Sequence, residues 1–89
     1  MVYVLIYTEN FGPQERVANV LDSIPEIEDW RCDIRRCFFI KSYLCARRLG
    51  KKISRAFPEK RFLLTRISDE RWGWLPKKSW NLFREDGEE

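Results

Sequence analysis

The sequence predicts a small α+β domain. Its first apolar run, at residues 2–7 (VYVLIY), has the β-branched and aromatic composition of a strand. Further along the chain, strand-like runs alternate with segments in which apolar residues recur at helical spacing. The 89 residues fit one domain, since dividing them would leave two cores too small to be stable. We therefore predict a single folded unit over residues 1–89.

The first strand is predicted at residues 2–7, and a helix follows it. Pro13 suits the first turn of that helix, because a proline there loses no hydrogen bond. One side of the helix carries apolar residues at helical spacing, namely Val17, Val20, Leu21 and Ile24. Pro25 ends the helix, because the residue before a proline is disfavoured in helical conformation.

A pair of antiparallel strands is predicted next, at residues 30–34 and 37–40, on either side of Arg35 and Arg36. Ser42 is then predicted to be the N-cap of a second helix. The buried stripe of that helix is predicted to contain Cys45, Leu49, Ile53 and Ala56 or Phe57. Pro58 closes the helix.

Residues 61–67 (RFLLTRI) predict a fourth strand. The order strand, helix, strand, strand, helix, strand is a repeated split β-α-β unit, which is the ferredoxin-like arrangement. After it, residues 72–75 predict a short fifth strand, and Pro76 begins a small helix with Trp80 and Phe83 on one side. We expect residues 85–89 to form a disordered acidic tail.

The first strand is apolar on both of its sides, so both faces of the predicted sheet need cover. Helices pack on only one face of a ferredoxin-like sheet. An apolar second face therefore predicts a homodimer, with another copy of the chain as the simplest cover. We also expect Trp72, Trp74 and Trp80 to pack on the sheet rather than to line a ligand site, so that Trp74→Ala would cost about 3–5 kcal/mol.

Positive charge is concentrated in the middle of the chain. Residues 31–66 contain twelve Lys or Arg against two acidic residues, a net charge of +10, whereas residues 1–30 carry −5 and residues 67–89 carry −2. Clustered cations are typical of surfaces that meet polyanions. Five of them fall on the outward side of the predicted second helix: Arg47, Arg48, Lys51, Lys52 and Arg55. These five side chains have three open interpretations: a solvated surface, a phosphate contact, or a contact with an acidic protein.

Several kinds of chemistry are excluded or disfavoured. The chain has no histidine, which removes Ser-His and Cys-His nucleophilic pairs. Its four glycines are isolated rather than grouped in a phosphate-binding loop, so no cofactor is predicted. Cys32, Cys37 and Cys45 are an odd set without CxxC spacing and read as thiols buried in a cytoplasmic protein, with no metal site. No membrane segment is predicted.

Residues 73–80 (GWLPKKSW), following a fourth strand in this element order, resemble a family of small bacterial proteins labelled SinR-like, unrelated to the helix-turn-helix regulator. That family is similar to the small CRISPR-associated adaptation nucleases. The resemblance implies a ferredoxin-like homodimer whose sheets face each other and whose C-terminal strand crosses to the partner.

The resemblance also concerns the end of the first strand. In the nucleases an Asp follows the aromatic residue that ends this strand, and paired Asp residues hold a divalent metal. Tyr7 matches the aromatic residue, but Thr8 stands in the place of the Asp. Because a threonine hydroxyl is a poor ligand for a hard cation, Glu9 is the nearest substitute.

We predict a non-catalytic homodimer that binds DNA or RNA backbone without sequence preference, since no groove-reading motif is present. One alternative is a metal-dependent endonuclease of the CRISPR-associated type that uses Glu9. Another is an interaction module, within a toxin–antitoxin or phage-defence assembly, whose basic helix docks an acidic protein. Strand aromatics could also stack on bases, although packing is favoured for them: Tyr3, Tyr7, Phe38 and Phe39.

Overall fold

The structure, a computed structural model, describes residues 1–84. Its elements are β1 (Val2–Tyr7), a short 3₁₀ helix (Glu9–Phe11), α1 (Gln14–Asp22), β2 (Ile27–Ile34), β3 (Cys37–Ser42), α2 (Ala46–Ala56), β4 (Phe62–Arg66) and α3 (Lys77–Phe83). The α+β class and the order of the first six predicted elements are confirmed. The predicted acidic tail at residues 85–89 lies outside the described residues. Within residues 1–84, no helix combines the length and the apolarity that a membrane crossing requires.

The four strands form one sheet in the order β2-β3-β1-β4, and each neighbouring pair is antiparallel. β1 and β3 are therefore the central strands, and β2 and β4 are the edges. Leu5 of β1 lies opposite Phe38 of β3 and Leu64 of β4. This register puts the most apolar strands in the middle of the sheet, where each has a hydrogen-bonded neighbour on both sides.

One face of the sheet, which we call the first face, is covered by α1 and α2. Alternation along the strands directs Tyr3, Leu5 and Phe38 to this face, where they are buried. They pack in one cluster with residues of the two helices, chiefly Val17 and Leu21 of α1 and Leu49 and Ile53 of α2. Apolar residues that recur every three or four positions in the helices thus pack against every second residue of the strands in a single core.

The opposite face, the second face, is partly covered by α3. Leu82 and Phe83 of α3 pack in a smaller cluster with Val2 and Phe39 of the central strands. The last turn of α3 is followed by Arg84, whose carbonyl accepts a hydrogen bond from Lys41 Nζ at 2.9 Å. The helix is therefore fixed at its C-terminal end to one end of the central strands.

A buried polar cluster fixes the other end of α3 to β2. Ser79 is fully buried, and its hydroxyl donates a hydrogen bond to the Asp33 carboxylate. Arg31 Nε donates to Ser79 Oγ at 3.2 Å, and Arg31 Nη2 lies 2.9 Å from Asp33 Oδ1. Each polar group of this cluster thus has a partner within it, which the buried Ser79 hydroxyl requires.

Two predictions about the start of the second helix are wrong. Ser42 is not an N-cap: it pairs with Ile27 in the sheet, and its buried hydroxyl donates to the Glu26 carbonyl at 2.9 Å and accepts from Leu44 N–H at 3.1 Å. β3 therefore extends past its predicted end, and α2 begins at Ala46. Cys45, predicted to lie in the buried stripe, is instead exposed at the N-cap of α2. The rest of the predicted stripe is buried as expected, at Leu49, Ile53 and Phe57.

The predicted fifth strand is also wrong. Residues 70–76 have no regular secondary structure, and Trp72 and Trp74 are 97% and 98% exposed rather than packed on the sheet. The loop is fixed at both ends to α3, because Arg71 lies over the ring of Phe83 and Trp80 Nε1 donates to the Leu75 carbonyl at 3.1 Å. Of the three tryptophans, only Trp80 packs as predicted, against Phe83.

Candidate functional site

The five cations predicted on the second helix lie together on the outward side of α2. Burial of Leu49 and Ile53 against the first face fixes the rotation of the helix. Arg47, Arg48, Lys51 and Arg55 are consequently exposed, and Lys52 is half-buried. We call these five residues the basic helix face. Their predicted placement on one surface is confirmed, whereas their role in binding stays a prediction.

The positive charge of the basic helix face is largely unbalanced. Lys52 Nζ lies 3.6 Å from Glu26 Oε1, a distance too long for a hydrogen bond. The other four cations have no ion-pair partner within residues 1–84. Like charges four residues apart on a helix, as in Arg47 and Lys51, repel each other by a few tenths of a kcal/mol. Burial of the apolar side of α2 offsets that repulsion.

Arg16 of α1 adds a sixth cation beside this surface. Its guanidinium carbon lies 5.4 Å from the centre of the Phe57 ring, and Nη2 donates to the Ala56 carbonyl at 3.5 Å. Sequence reasoning missed Arg16 because it lies in the acidic first third of the chain. Only the packing of α1 beside α2 brings it to the C-terminal end of the basic helix.

Other cations of the basic stretch lie elsewhere. Arg35 and Arg36 occupy the turn between β2 and β3. Arg31 and Lys41 are both engaged with α3 or the residue that follows it. The cations of residues 31–66 therefore do not lie on one surface. α2 is the element that places five of them on one side.

The end of β1 holds the residues that the nuclease resemblance concerns. Thr8 Oγ1 donates a hydrogen bond to Asn10 Oδ1 at 2.7 Å. Glu9 is exposed, and its Oε1 lies 3.6 Å from Arg36 Nη1. Across residues 1–84, no three or more His, Cys, Asp or Glu side chains lie close enough together to hold a metal ion. The Glu9 carboxylate thus faces a guanidinium group, whose positive charge opposes the binding of a cation.

The second face carries an uncovered row of apolar side chains. Ile34, Cys37, Ile6 and Leu63 lie opposite one another on four successive strands of the sheet. Cys37 is buried, but Ile34, Ile6 and Leu63 are 50%, 48% and 59% exposed. We call these four residues the apolar row. Exposed apolar side chains that lie side by side on a surface are typical of interaction sites.

The two exposed tryptophans stand next to the apolar row. A cavity of about 320 Å³ lies between residues 71–75 and the sheet, and its lining includes Val4, Ile34, Trp72, Trp74 and Trp80. Gly73, between the two tryptophans, has no neighbouring atom that a side chain would meet. The chain therefore presents both protruding indoles and an apolar recess on the same face.

Three titratable groups near the turn between β2 and β3 have raised pKa values. Burial raises the pKa of the Tyr7 phenol and of the Cys32 and Cys37 thiols. Asp33 beside Cys32 adds to the effect on that thiol. Of the three cysteines predicted to be buried, Cys37 is buried, Cys32 is half-buried and Cys45 is exposed.

No protein-family model, curated protein or solved structure matches this chain. The family resemblance therefore rests on residues 73–80 and on the order of the elements, and it stays a prediction.

Proposed function

We propose that this protein is a homodimer that binds the backbone of double-stranded nucleic acid through the basic helix face, without reading its sequence and without catalysis. The observation that carries the proposal is the set of four exposed cations on α2 that have no ion-pair partner within residues 1–84. Phosphate groups are the ligands that such a surface attracts most strongly, because each contact also releases a condensed counterion.

The composition of the α2 surface favours phosphate over an acidic protein. Its exposed residues are four cations and Ser54, so it presents no exposed apolar side chain. The centre of a protein–protein interface is enriched in aromatic and apolar residues, whereas a backbone contact needs only donors and positive charge. The exposed tryptophans are on the other face, and the remaining exposed aromatic residue within residues 1–84, Tyr43, offers one stacking platform where single-strand binding uses several. A duplex is the ligand that remains.

For the fold, we propose the ferredoxin-like sandwich. The support is the order β2-β3-β1-β4, with β1 and β3 at the centre and the two connecting helices on one face. This arrangement separates the basic helix face from the apolar row, since the sheet lies between them.

The proposed cover of the apolar row is a second copy of the chain. Two exposed indoles contribute roughly 300–500 Å² per protomer, and the three half-exposed aliphatic residues of the row add to it. A stable interface buries about 800 Å² per partner and should exceed about 500 Å² per partner. Protruding tryptophans and an apolar recess on one face make the surface complementary to itself, which twofold symmetry requires.

Salt dependence tests the binding proposal. With four or five phosphates neutralised, raising the salt from about 50 to 200 mM should weaken duplex binding about 100- to 500-fold. The double variant Arg47→Gln, Lys51→Gln should weaken binding at low salt and flatten this dependence. The matched control is Lys77→Gln, Lys78→Gln, which removes two exposed cations from α3 on the other face. Affinity indifferent to salt, or equal loss in both variants, would refute the proposal.

A further inference from the structure

We infer that the dimer binds two separate duplexes, one on each side, and so bridges them. This inference rests on the proposed function, to which it adds the number of ligands and their arrangement. It follows from the placement of two surfaces on opposite sides of one sheet and from the stiffness of the ligand.

The first step is the opposition of the two surfaces. Leu49 and Ile53 of α2 pack on the first face together with Tyr3 and Leu5. Ile6 alternates with these residues on β1 and lies on the second face, as do the residues paired with it. A protomer that pairs through the apolar row therefore keeps its basic helix face on the side away from its partner.

The second step is the separation of the two basic helix faces in a twofold pair. Two sheets that pack face to face lie about 10 Å apart. A helix layer about 10 Å thick, side chains included, covers the outside of each sheet. The two cationic surfaces are then at least roughly 30 Å apart and face opposite directions. α3 also occupies part of the second face, so the separation is no smaller than this.

The third step is the stiffness of the duplex. Its persistence length is about 150 base pairs, so a duplex of about 20 base pairs behaves as a straight rod. Such a rod cannot contact two surfaces that face away from each other. Each basic helix face must therefore take its own duplex. On long nucleic acids, two linked sites of modest affinity also give higher avidity than either site alone.

The experiment uses two duplexes of about 20 base pairs, one attached to beads and the other fluorescent. The wild-type protein should retain the fluorescent duplex on the beads, and sedimentation should show two duplexes per dimer at saturation. Retention should fall again when free duplex is in large excess, because every site is then occupied separately; an aggregate would not show this decline.

The discriminating variant is Trp72→Ser, Trp74→Ser. Both indoles are almost fully exposed in the protomer, so their loss leaves the protomer fold intact. The variant should bind a duplex at each protomer with wild-type affinity but retain less than about a tenth of the fluorescent duplex. The control variant Lys77→Gln, Lys78→Gln should bridge like the wild type.

The possible outcomes distinguish a failure of bridging from a failure of the proposed duplex binding. Duplex binding by the wild type with a single duplex per dimer, or without bead retention, would overturn bridging and leave the proposed backbone binding intact. Undiminished bridging by the tryptophan variant would overturn pairing through the second face. Failure of the wild type to bind any duplex at low salt would overturn the proposed function itself.

Discussion

The two faces of the sheet receive similar apolar side chains from the strands, yet they are covered very differently. On the first face, two helices bury Tyr3, Leu5 and Phe38 almost completely. On the second face, one short helix covers Val2 and Phe39 but leaves Ile6 and Leu63 about half exposed. The first face is fully covered within one chain, whereas the second face is covered only in part.

Element length explains this difference. α3 has seven residues and extends only about 10 Å, whereas the six-residue strand β1 extends about 20 Å. α3 can therefore cover only part of the second face. The polar cluster at Ser79 and the Lys41 contact hold it on β2 and β3 and leave the apolar row open.

The largest expected effect comes from the first face. Leu49→Ala should lower the free energy of unfolding by about 2–5 kcal/mol at every protein concentration, because it leaves a cavity in the complete core. Trp74→Ala should change only the concentration-dependent part of the stability, because the indole contacts solvent in the protomer. Urea unfolding at two protein concentrations measures both. A large, concentration-independent loss for Trp74→Ala would show that the loop packs within its own chain.

The next effect concerns assembly through the second face. Trp72→Ser, Trp74→Ser should halve the molar mass in solution, because it removes most of the apolar area available for pairing. Tyr43→Ser is the matched control, since Tyr43 is an exposed aromatic residue outside the apolar row and its loop. Light scattering after size exclusion measures the mass. An unchanged mass for the tryptophan variant would place the interface elsewhere.

A smaller effect is expected for the polar cluster under α3. Ser79→Ala should cost about 1–3 kcal/mol, because Asp33 and Arg31 each lose a buried hydrogen-bond partner. Hydrogen exchange should accelerate in α3 more than in α2. Ser54→Ala, at an exposed serine of α2, should cost less than about 0.5 kcal/mol. Equal costs for the two variants would mean that the cluster does not hold α3 to β2.

The smallest effect is a dependence on alkaline pH. The pKa values of Tyr7, Cys32 and Cys37 are raised by folding, so the native state keeps these protons to higher pH than the unfolded chain does. The native state then binds more protons, and the free energy of unfolding falls as pH rises above about 8.5. Cys32→Ala, Cys37→Ala should flatten this slope. A stability that rises with pH in this range would contradict the assignment.

Much of the fold followed from local patterns. The run VYVLIY and the spacing of Leu49 and Ile53 predicted β1 and α2, because strand alternation and helical periodicity are local properties. The basic helix face followed from the same spacing, since an inward Leu49 and Ile53 leave Arg47 and Lys51 outward.

The errors all involve distant partners. The hydroxyl of Ser42 bonds to the Glu26 carbonyl, sixteen residues earlier in the chain, which no capping pattern reveals. Trp72 and Trp74 have strand-like spacing, but a strand forms only if the backbone of this segment can pair with a sheet edge, which it does not do here. Arg16 joins the end of α2 only through the packing of two helices.

The most direct test of the central claim is the molar mass of the wild-type protein with and without a duplex of about 20 base pairs. Light scattering should give twice the chain mass of 10.8 kDa at low and high salt, because an apolar interface resists screening. Two duplexes should add to that mass at about 50 mM salt and leave by about 200 mM. A single-chain mass at both salt concentrations, or a duplex retained equally at both, would contradict the account.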